Sequence, residues 1–313
     1  MQKDFSYHLL INERSGTAGK TGREAIEQAV EASGLPLYRL EFVPPDDLPE
    51  RLREAAGGEH PVLIGGGDGS IKCCAEHMLE SKKPFGILPL GTMNLLARDM
   101  NIPPALEDAL KAYAAGVEEV AIDVGWAGEE LFLCCAALGM LAESSAFREA
   151  NRGTHELVLL PRLTAFVFNK MDPVFQRRVW LTMGRKKRHI NTAMLVVSSN
   201  PFDKSGNWMM ESFRRTSLQG GALGIYSAAP ASAWDKLRLI LSLPTGGWGR
   251  DPVVREWQAR EMVLHSGHKE ELISLDGETR TVTMPLHFRS EPKALNLLVP
   301  APGGIQAEGG SHG

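Results

Sequence analysis

The sequence predicts an α/β N-terminal domain built on a parallel sheet, followed by a β-rich, mainly antiparallel C-terminal domain. Three observations carry this expectation. The 313-residue length suits two domains of roughly 150 residues each. Before residue 120, short apolar runs alternate with helical patterns, which implies right-handed crossovers between parallel strands. After it, strand-like segments follow one another with Gly, Asn and basic turns between them.

Residues 7–11 are the first apolar run. Residues 17–33 carry a helical pattern with Ala25, Ile26, Ala29 and Val30 on one face, and Gly34 stands at its C-cap. A second strand is expected over 37–43 and a short helix over 48–56. Residues 61–64 form a third strand that runs straight into Gly65-Gly66-Gly67. A helix over 71–79, a strand over 85–90 and a helix over 93–100 follow, the last stopped by Pro103-Pro104. In the second half, strands are expected at 131–135, 179–183, 189–198, 222–228 and 261–265. Two longer apolar segments interrupt them, 156–170 and 232–243, the second ended by Pro244 and Gly246-Gly247. The expected division is 1–122 with a return segment 291–301, then 123–290, then a Gly-rich mobile tail at 302–313.

Composition excludes several classes. With 43% hydrophobic and 23% charged residues the chain is neither disordered nor collagen-like. A net charge of −4 gives no positive field to recruit nucleic acid, so none is expected as a partner. The apolar run at 131–141 is shorter than the roughly 20 residues of a membrane-spanning helix. Residues 1–6 lack the apolar stretch of a signal peptide, so a cytoplasmic protein is expected. The cysteines stand in two adjacent pairs, Cys73-Cys74 and Cys134-Cys135, a spacing that suits neither a zinc knuckle nor a disulfide framework.

The stretch from Val62 to Ser70 is the most informative. Gly65, Gly66, Gly67 and Gly69 let the backbone turn sharply and bring N–H groups against a ligand without Cβ interference. A helix follows, and its N-terminus favours an anion such as phosphate. Asp68 repels phosphate unless a cation intervenes, a place that suits Mg²⁺; the plain alternative is a tight turn capped by Asp68. A second junction of the same kind holds Gly91, Thr92 and Asn94, with Arg98 one turn into its helix. Both should open at one edge of a parallel sheet, where ligands bind. A third, residues 12–21, nearly spells a Walker A loop, but Arg14 occupies the position of its first glycine. Ser15 and Gly16 remain a phosphate contact there, with Arg14 or Lys20 nearby.

These motifs resemble a family. Asn12 with Ser15-Gly16, Gly66-Gly67-Asp68-Gly69-Ser70, the run from Pro89 to Arg98, and Leu275-Asp276-Gly277-Glu278 followed by Pro285-Leu286 and 294–300 look like the bacterial lipid kinases with a diacylglycerol kinase catalytic domain, relatives of sphingosine and ceramide kinases. The resemblance covers about residues 7–300, and the motifs stand in the right order. It implies a nucleotide domain like that of NAD kinase and phosphofructokinase, a β-rich lipid domain, ATP in the cleft between them, and a last strand near 294–299 that returns to the first domain. It makes Asn12, Ser15, Gly16, Gly66, Gly67, Asp68, Gly69, Ser70, Gly91, Thr92 and Asn94 the nucleotide contacts. The implied partners are ATP with Mg²⁺ and a lipid presented at a membrane surface, with the protein peripheral at the inner face; oligomeric state is open, a homodimer being one option. There are departures. The family's Asn-Pro opening reads Asn12-Glu13, and its amide and carboxylate after the glycine loop are Lys72 and Cys73. The turn at 218–222 lacks the family's acidic residue, so its structural Mg²⁺ site is not carried over.

Asp276-Gly277 alone is a common hairpin signal. The resemblance makes it more: Asp276 and Glu278 become the catalytic pair, one taking the proton of the acceptor hydroxyl while the other, with Asp68, organises the metal. Metal ligation is expected at Asp68 and Glu278. Arg177-Arg178 and residues 185–188 make either a solvated basic hairpin or a contact for anionic headgroups. The apolar segments 156–170 and 233–243, with Phe166, Phe168 and Trp234, line an acyl groove or pack as ordinary core. His265 and His268 with Glu261 lack a third spaced ligand for a metal. Two further readings compete with the lipid kinase: an NAD kinase-like enzyme, and a silent protein that binds lipid or nucleotide.

Overall fold

The computed structural model describes residues 5–16, 18–151, 156–203, 213–242 and 247–301, the side chains of 156–161 excepted. The chain divides into two compact units, Met1–Ile122 with Ala294–Gly313, and Asp123–Lys293. The expected mobile tail, and the helix stop at Pro244 and Gly246, lie outside the described residues.

In the first unit, β1 (Tyr7–Asn12), β2 (Leu37–Val43), β3 (Val62–Gly66) and β4 (Phe85–Pro89) form a parallel sheet in the order β2-β1-β3-β4. The second half of β16 (Leu286–Pro300) continues the sheet beside β4, with Leu297 opposite Phe85. Every residue of β3 and β4 is buried, as apolar runs flanked by crossover helices require. Those helices are α2 (Arg23–Ser33), α3 (Leu48–Gly57), α4 (Asp68–Ser81) and α6 (Leu106–Ala115); α2 packs on α6 and α3 on α4.

Two expectations need correction here. The single helix over 17–33 is two, α1 (Ala18–Thr21) and α2, because Gly22 adopts φ 84 between them. Gly34 closes α2 at φ 69, the left-handed cap that glycine favours. The helix expected from 93 starts at Leu95, since Asn94 takes φ 48, leaving α5 as Leu95–Asp99. The pattern Leu106, Ala109, Leu110, Tyr113 of α6 went unread. Tyr113 does particular work in this unit: its buried hydroxyl accepts from Ile87 N at 2.8 Å and donates to Leu298 O at 3.0 Å, joining β4 to β16.

The second unit holds two antiparallel sheets. One runs β12 (Val254–Ala259), β11 (Leu223–Ala228), β10 (Met194–Ser198), β7 (Cys135–Gly139), β14 (Glu270–Leu275), β15 (Glu278–Thr283). The other places the first half of β16 beside β13 (Glu261–Ser266), then β8 (Arg177–Met183) and β9 (Lys186–Thr192). β5 (Val117–Ala127) pairs with β16 and with β6 (Glu130–Phe132), Gly125 facing Phe132. One core contains Leu181, Leu264 and Phe288 from the second sheet with Leu195, Val197 and Ile225 from the first. The intervening residues Met194, Tyr226 and Ala228 belong to a second core with Met140, Leu239 and Trp248. Central strands covered on both faces therefore read as continuous apolar runs, which hides their ends. Hence the expected strand 189–198 breaks at Ala193 into β9 and β10, in different sheets, and 131–135 breaks between β6 and β7. Helices α7 (Met140–Ala150), α8 (Glu156–Lys170) and α9 (Ala233–Ser242) complete the unit, with a 3-10 turn at Pro173–Phe175. Among the described residues no helix is long and apolar enough to cross a membrane.

Arg177 is not part of a solvated basic cluster. It donates to Glu143 and to the buried Glu271, both at 2.7 Å, and Lys170 reaches Glu143 at 2.7 Å. Burial would raise the Glu143 carboxyl, but the two cations outweigh it and hold its pKa below the ordinary value. A carboxyl depressed in the folded state stabilises above its unfolded pKa, and that gain fades as pH falls through the depressed value. Glu143→Gln is expected to destabilise by about 2 kcal/mol at neutral pH. The gap from wild type should close in acid, as measured by urea unfolding across pH; a pH-independent gap would show the charge to be irrelevant.

Candidate active site

In the first unit three strand ends meet. Asn12 ends β1, and its amide donates to Ser70 Oγ at 2.8 Å on the first turn of α4. Its Oδ1 accepts from Arg14 N at 3.0 Å, which folds the following loop. Ser15 lies in that loop, buried, with an Oγ that finds no hydrogen-bond partner among the described residues. A buried hydroxyl left unsatisfied calls for an explanation, such as a ligand. A Cβ on Gly16 would stand 3.5 Å from Thr92 Oγ1, so the first loop adjoins the third.

The glycines are sterically required. A Cβ on Gly66 would lie 2.5 Å from Ser70 Cβ, and one on Gly91 would lie 2.4 Å from Gly67 Cα. The loops after β3 and β4 thus touch backbone to backbone, and Leu90 N donates to Gly66 O at 3.0 Å. Gly69 and Thr92 remain exposed at this edge.

Asp68 and Asn94 have structural work here. The Asp68 carboxylate accepts from Asn94 N at 3.1 Å and Leu95 N at 2.8 Å, so it caps the neighbouring helix α5 rather than its own. Asn94 accepts from Gly91 N at 2.8 Å and donates to Gly91 O at 2.9 Å and Pro89 O at 3.3 Å. Its side chain closes the third loop. Backbone N–H groups and hydroxyls from three loops thus gather at the carboxyl edge of the parallel strands, beside the N-terminus of a fourteen-residue helix. Such an edge can take phosphate.

In the second unit, β14 and β15 form a hairpin with Leu275 opposite Glu278. Asp276 and Gly277 both take positive φ, 49 and 94, the mark of a tight two-residue turn. The turn does more than reverse the chain. Asp276 accepts from Leu133 N at 2.7 Å, Cys134 N at 2.8 Å and Cys135 N at 3.0 Å, and its own N–H donates to Cys135 O at 2.9 Å. The same strap is braced from the other side. Ser198 and Ser199 donate to Cys134 O at 3.1 Å and Leu133 O at 2.7 Å, and buried Arg215 donates to Leu133 O and, at 2.6 Å, to Ser199 Oγ. Glu278 differs from Asp276: its side chain is 56% exposed, with Arg280 at 3.5 Å. Exposed on a rigid turn, it can accept a proton.

Sequence reasoning missed the 133–135 strap, read there as strand, and its bracing residues. Ser198-Ser199-Asn200, a wholly buried polar triplet after an apolar strand, was the available signal. It also missed Asp123, wholly buried, which accepts from Gly221 N at 2.6 Å, Asn200 Nδ2 at 2.8 Å and Lys293 N at 2.9 Å. That carboxylate holds the turn at 218–222, where the sequence itself carries no acid.

Residues 6–127 match the family described as the diacylglycerol kinase catalytic domain, a span that includes all three glycine-bearing loops. The chain is 31% identical over 141 residues to the lipid kinase YegS of Escherichia coli, covering 44% of this chain and 46% of that protein. It is 38% identical over 94 residues to a YegS-like probable lipid kinase of Pseudomonas putida, covering 29% of this chain and 31% of that one. It thus spans less than half the length of these two curated relatives. Among solved structures, a diacylglycerol kinase from Bacillus anthracis aligns over 97% of this chain and 100% of its own with TM-score 0.69 at 14% identity, a likeness of fold. The likeness of fold over nearly the whole chain and the family match across the three loops point the same way: residues 6–127 match the diacylglycerol kinase catalytic domain, and the chain is similar to bacterial lipid kinases.

Proposed function

We propose that the chain is an ATP-dependent lipid kinase that transfers the γ-phosphate to a hydroxyl of diacylglycerol or a related lipid. One observation carries the reading: the Gly66-Gly67 and Gly91 loops meet backbone to backbone beside a buried Ser15 hydroxyl that has no partner among the described residues, within the stretch that the catalytic-domain family matches.

The residues fit the ligand. Glycine edges admit phosphate oxygens close to backbone N–H groups, and a phosphate oxygen would satisfy Ser15. Mg²⁺ fits as an ion carried with the triphosphate, since it takes one or two carboxylates plus phosphate oxygens and keeps waters. A closed protein cage does not fit, because among the described residues no trio of His, Cys, Asp or Glu side chains would hold a metal. Asp68 is the carboxylate we assign to it. When bound, the ion neutralises charge on the transferred phosphoryl group.

The chain's own residues then divide the work. Asn12, Ser15, Gly16, Gly66, Gly67, Gly69, Ser70, Gly91 and Thr92 bind and orient the phosphates; Asp68 and Asn94 hold those loops in shape. Glu278 takes the proton of the lipid hydroxyl, a role supported by its exposure. Asp276 positions it, because both Asp276 oxygens already accept strap amides.

Two measurements test this. With γ-labelled ATP and a panel of diacylglycerol, ceramide, sphingosine, phosphatidylglycerol and NAD, label should enter a lipid. Label in NAD alone would replace the reading by an NAD kinase-like one, and no product would leave a binding protein. Glu278→Gln should lower kcat by about 10²–10⁴-fold with nucleotide affinity and Tm unchanged. Asp276→Asn should lower kcat and also cost about 2 kcal/mol of stability through the lost strap bonds. Full turnover in Glu278→Gln would remove it as the base.

A further inference from the structure

Among the described residues nine large apolar side chains are exposed, and five of them, Val174, Phe175, Trp234, Leu237 and Leu241, belong to two short segments. The segments are bound together: Lys236 on α9 pairs with Asp172, and Gln176 Nε2 donates to Pro230 O at 2.8 Å. The Lys236 ammonium, itself buried, stands 4.9 Å from the Phe168 ring.

Helix α9 is apolar on its outward side as well as on its core side. A surface helix normally shows polar residues to solvent. Here Lys236 and Leu239 are buried, while Trp234, Leu237 and Leu241 are 67%, 42% and 61% exposed. At 3.6 residues per turn these three fall within an arc of about 60°. Val174, at 87% exposed, is more open still. Cations follow along the chain. Lys170 lies 5.1 Å from the Phe175 ring, and Arg178 and the exposed Arg185, Lys186, Lys187 and Arg188 stand on the adjoining β8–β9 hairpin. None of the last five forms an ion pair among the described residues.

We propose that the outward face of α9 and the Pro173–Phe175 turn are a bilayer-docking surface, inserted at the headgroup boundary of an anionic membrane that the β8–β9 hairpin cations attract. Apolar side chains with a tryptophan at one end suit that boundary, and the cations of the hairpin that follows suit anionic headgroups rather than a second copy seated on the same face, which would set like charges opposite one another. The proposal rests on the lipid-kinase reading for its purpose, to bring a bilayer-borne acceptor within reach, but docking is measured without catalysis.

The test is co-sedimentation of the full chain with phosphatidylcholine vesicles carrying about 30% phosphatidylglycerol or none. The wild type should bind the anionic vesicles, and raising salt from about 0.1 to about 0.5 M should weaken binding. Trp234→Ser with Leu241→Gln should lower partitioning by at least about tenfold. Lys187→Glu with Arg188→Glu should remove the preference for anionic vesicles. Both variants should phosphorylate a short-chain diacylglycerol in detergent micelles at the wild-type rate. Equal vesicle binding by wild type and the apolar-face variant would overturn the proposal. So would a wild-type dimer, seen by light scattering, that the same variant dissociates, since that face would then seat a second copy. Vesicle binding without phosphorylation of any acceptor would support docking while overturning the kinase reading.

Discussion

Amide N–H groups in loops beyond buried strands have no sheet partner, and each must be satisfied where water is scarce. In this protein aspartate carboxylates supply the acceptors. Asp68 takes the N–H groups of Asn94 and Leu95, Asp276 those of 133–135, and Asp123 those of Gly221 and Lys293. A charged acceptor makes stronger bonds than a neutral one. It also joins segments far apart in sequence, as Asp276 joins a strap more than 140 positions earlier. The loops that carry the candidate chemistry are held in shape by these bonds.

The same fact sorts the acidic residues by role. A carboxylate already accepting two or three backbone donors is committed to geometry, which makes Asp276 a support, while the exposed Glu278 beside it is the residue we propose for proton transfer. Asp68 is less one-sided. A carboxylate has about four lone-pair sites, so capping α5 and meeting a metal carried by a triphosphate are compatible. Glycines complete the arrangement in the first unit, where Gly67 and Gly91 approach too closely for any side chain between them.

The first half of the fold was legible because its signals are local. Buried parallel strands are short apolar runs, and glycine marks where each turns into a helix. The errors were local as well: Gly22 breaks a continuous helical pattern by its φ alone. In the second half, strands β7, β10 and β11 are covered on both faces, so alternation vanished and the breaks at Leu133–Cys134 and Ala193 could not be read. The outward apolar stripe of α9 was equally hidden, since periodicity shows that a stripe exists and not which way it faces.

Residue type and spacing by themselves determined the α/β-then-β order, the three glycine-bearing junctions and the carboxylate pair at 276 and 278, because turn conformation and close backbone approach demand particular residues in sequence. Only the tertiary structure decided what each carboxylate does. Asp68 caps a helix other than its own, Asp276 gathers a remote strap, Arg177 turns inward to Glu143 and Glu271, and Asp123 holds a turn that contains no acid. A hydrogen bond depends on which donors folding brings within about 3 Å, and for these groups the donors come from distant parts of the chain.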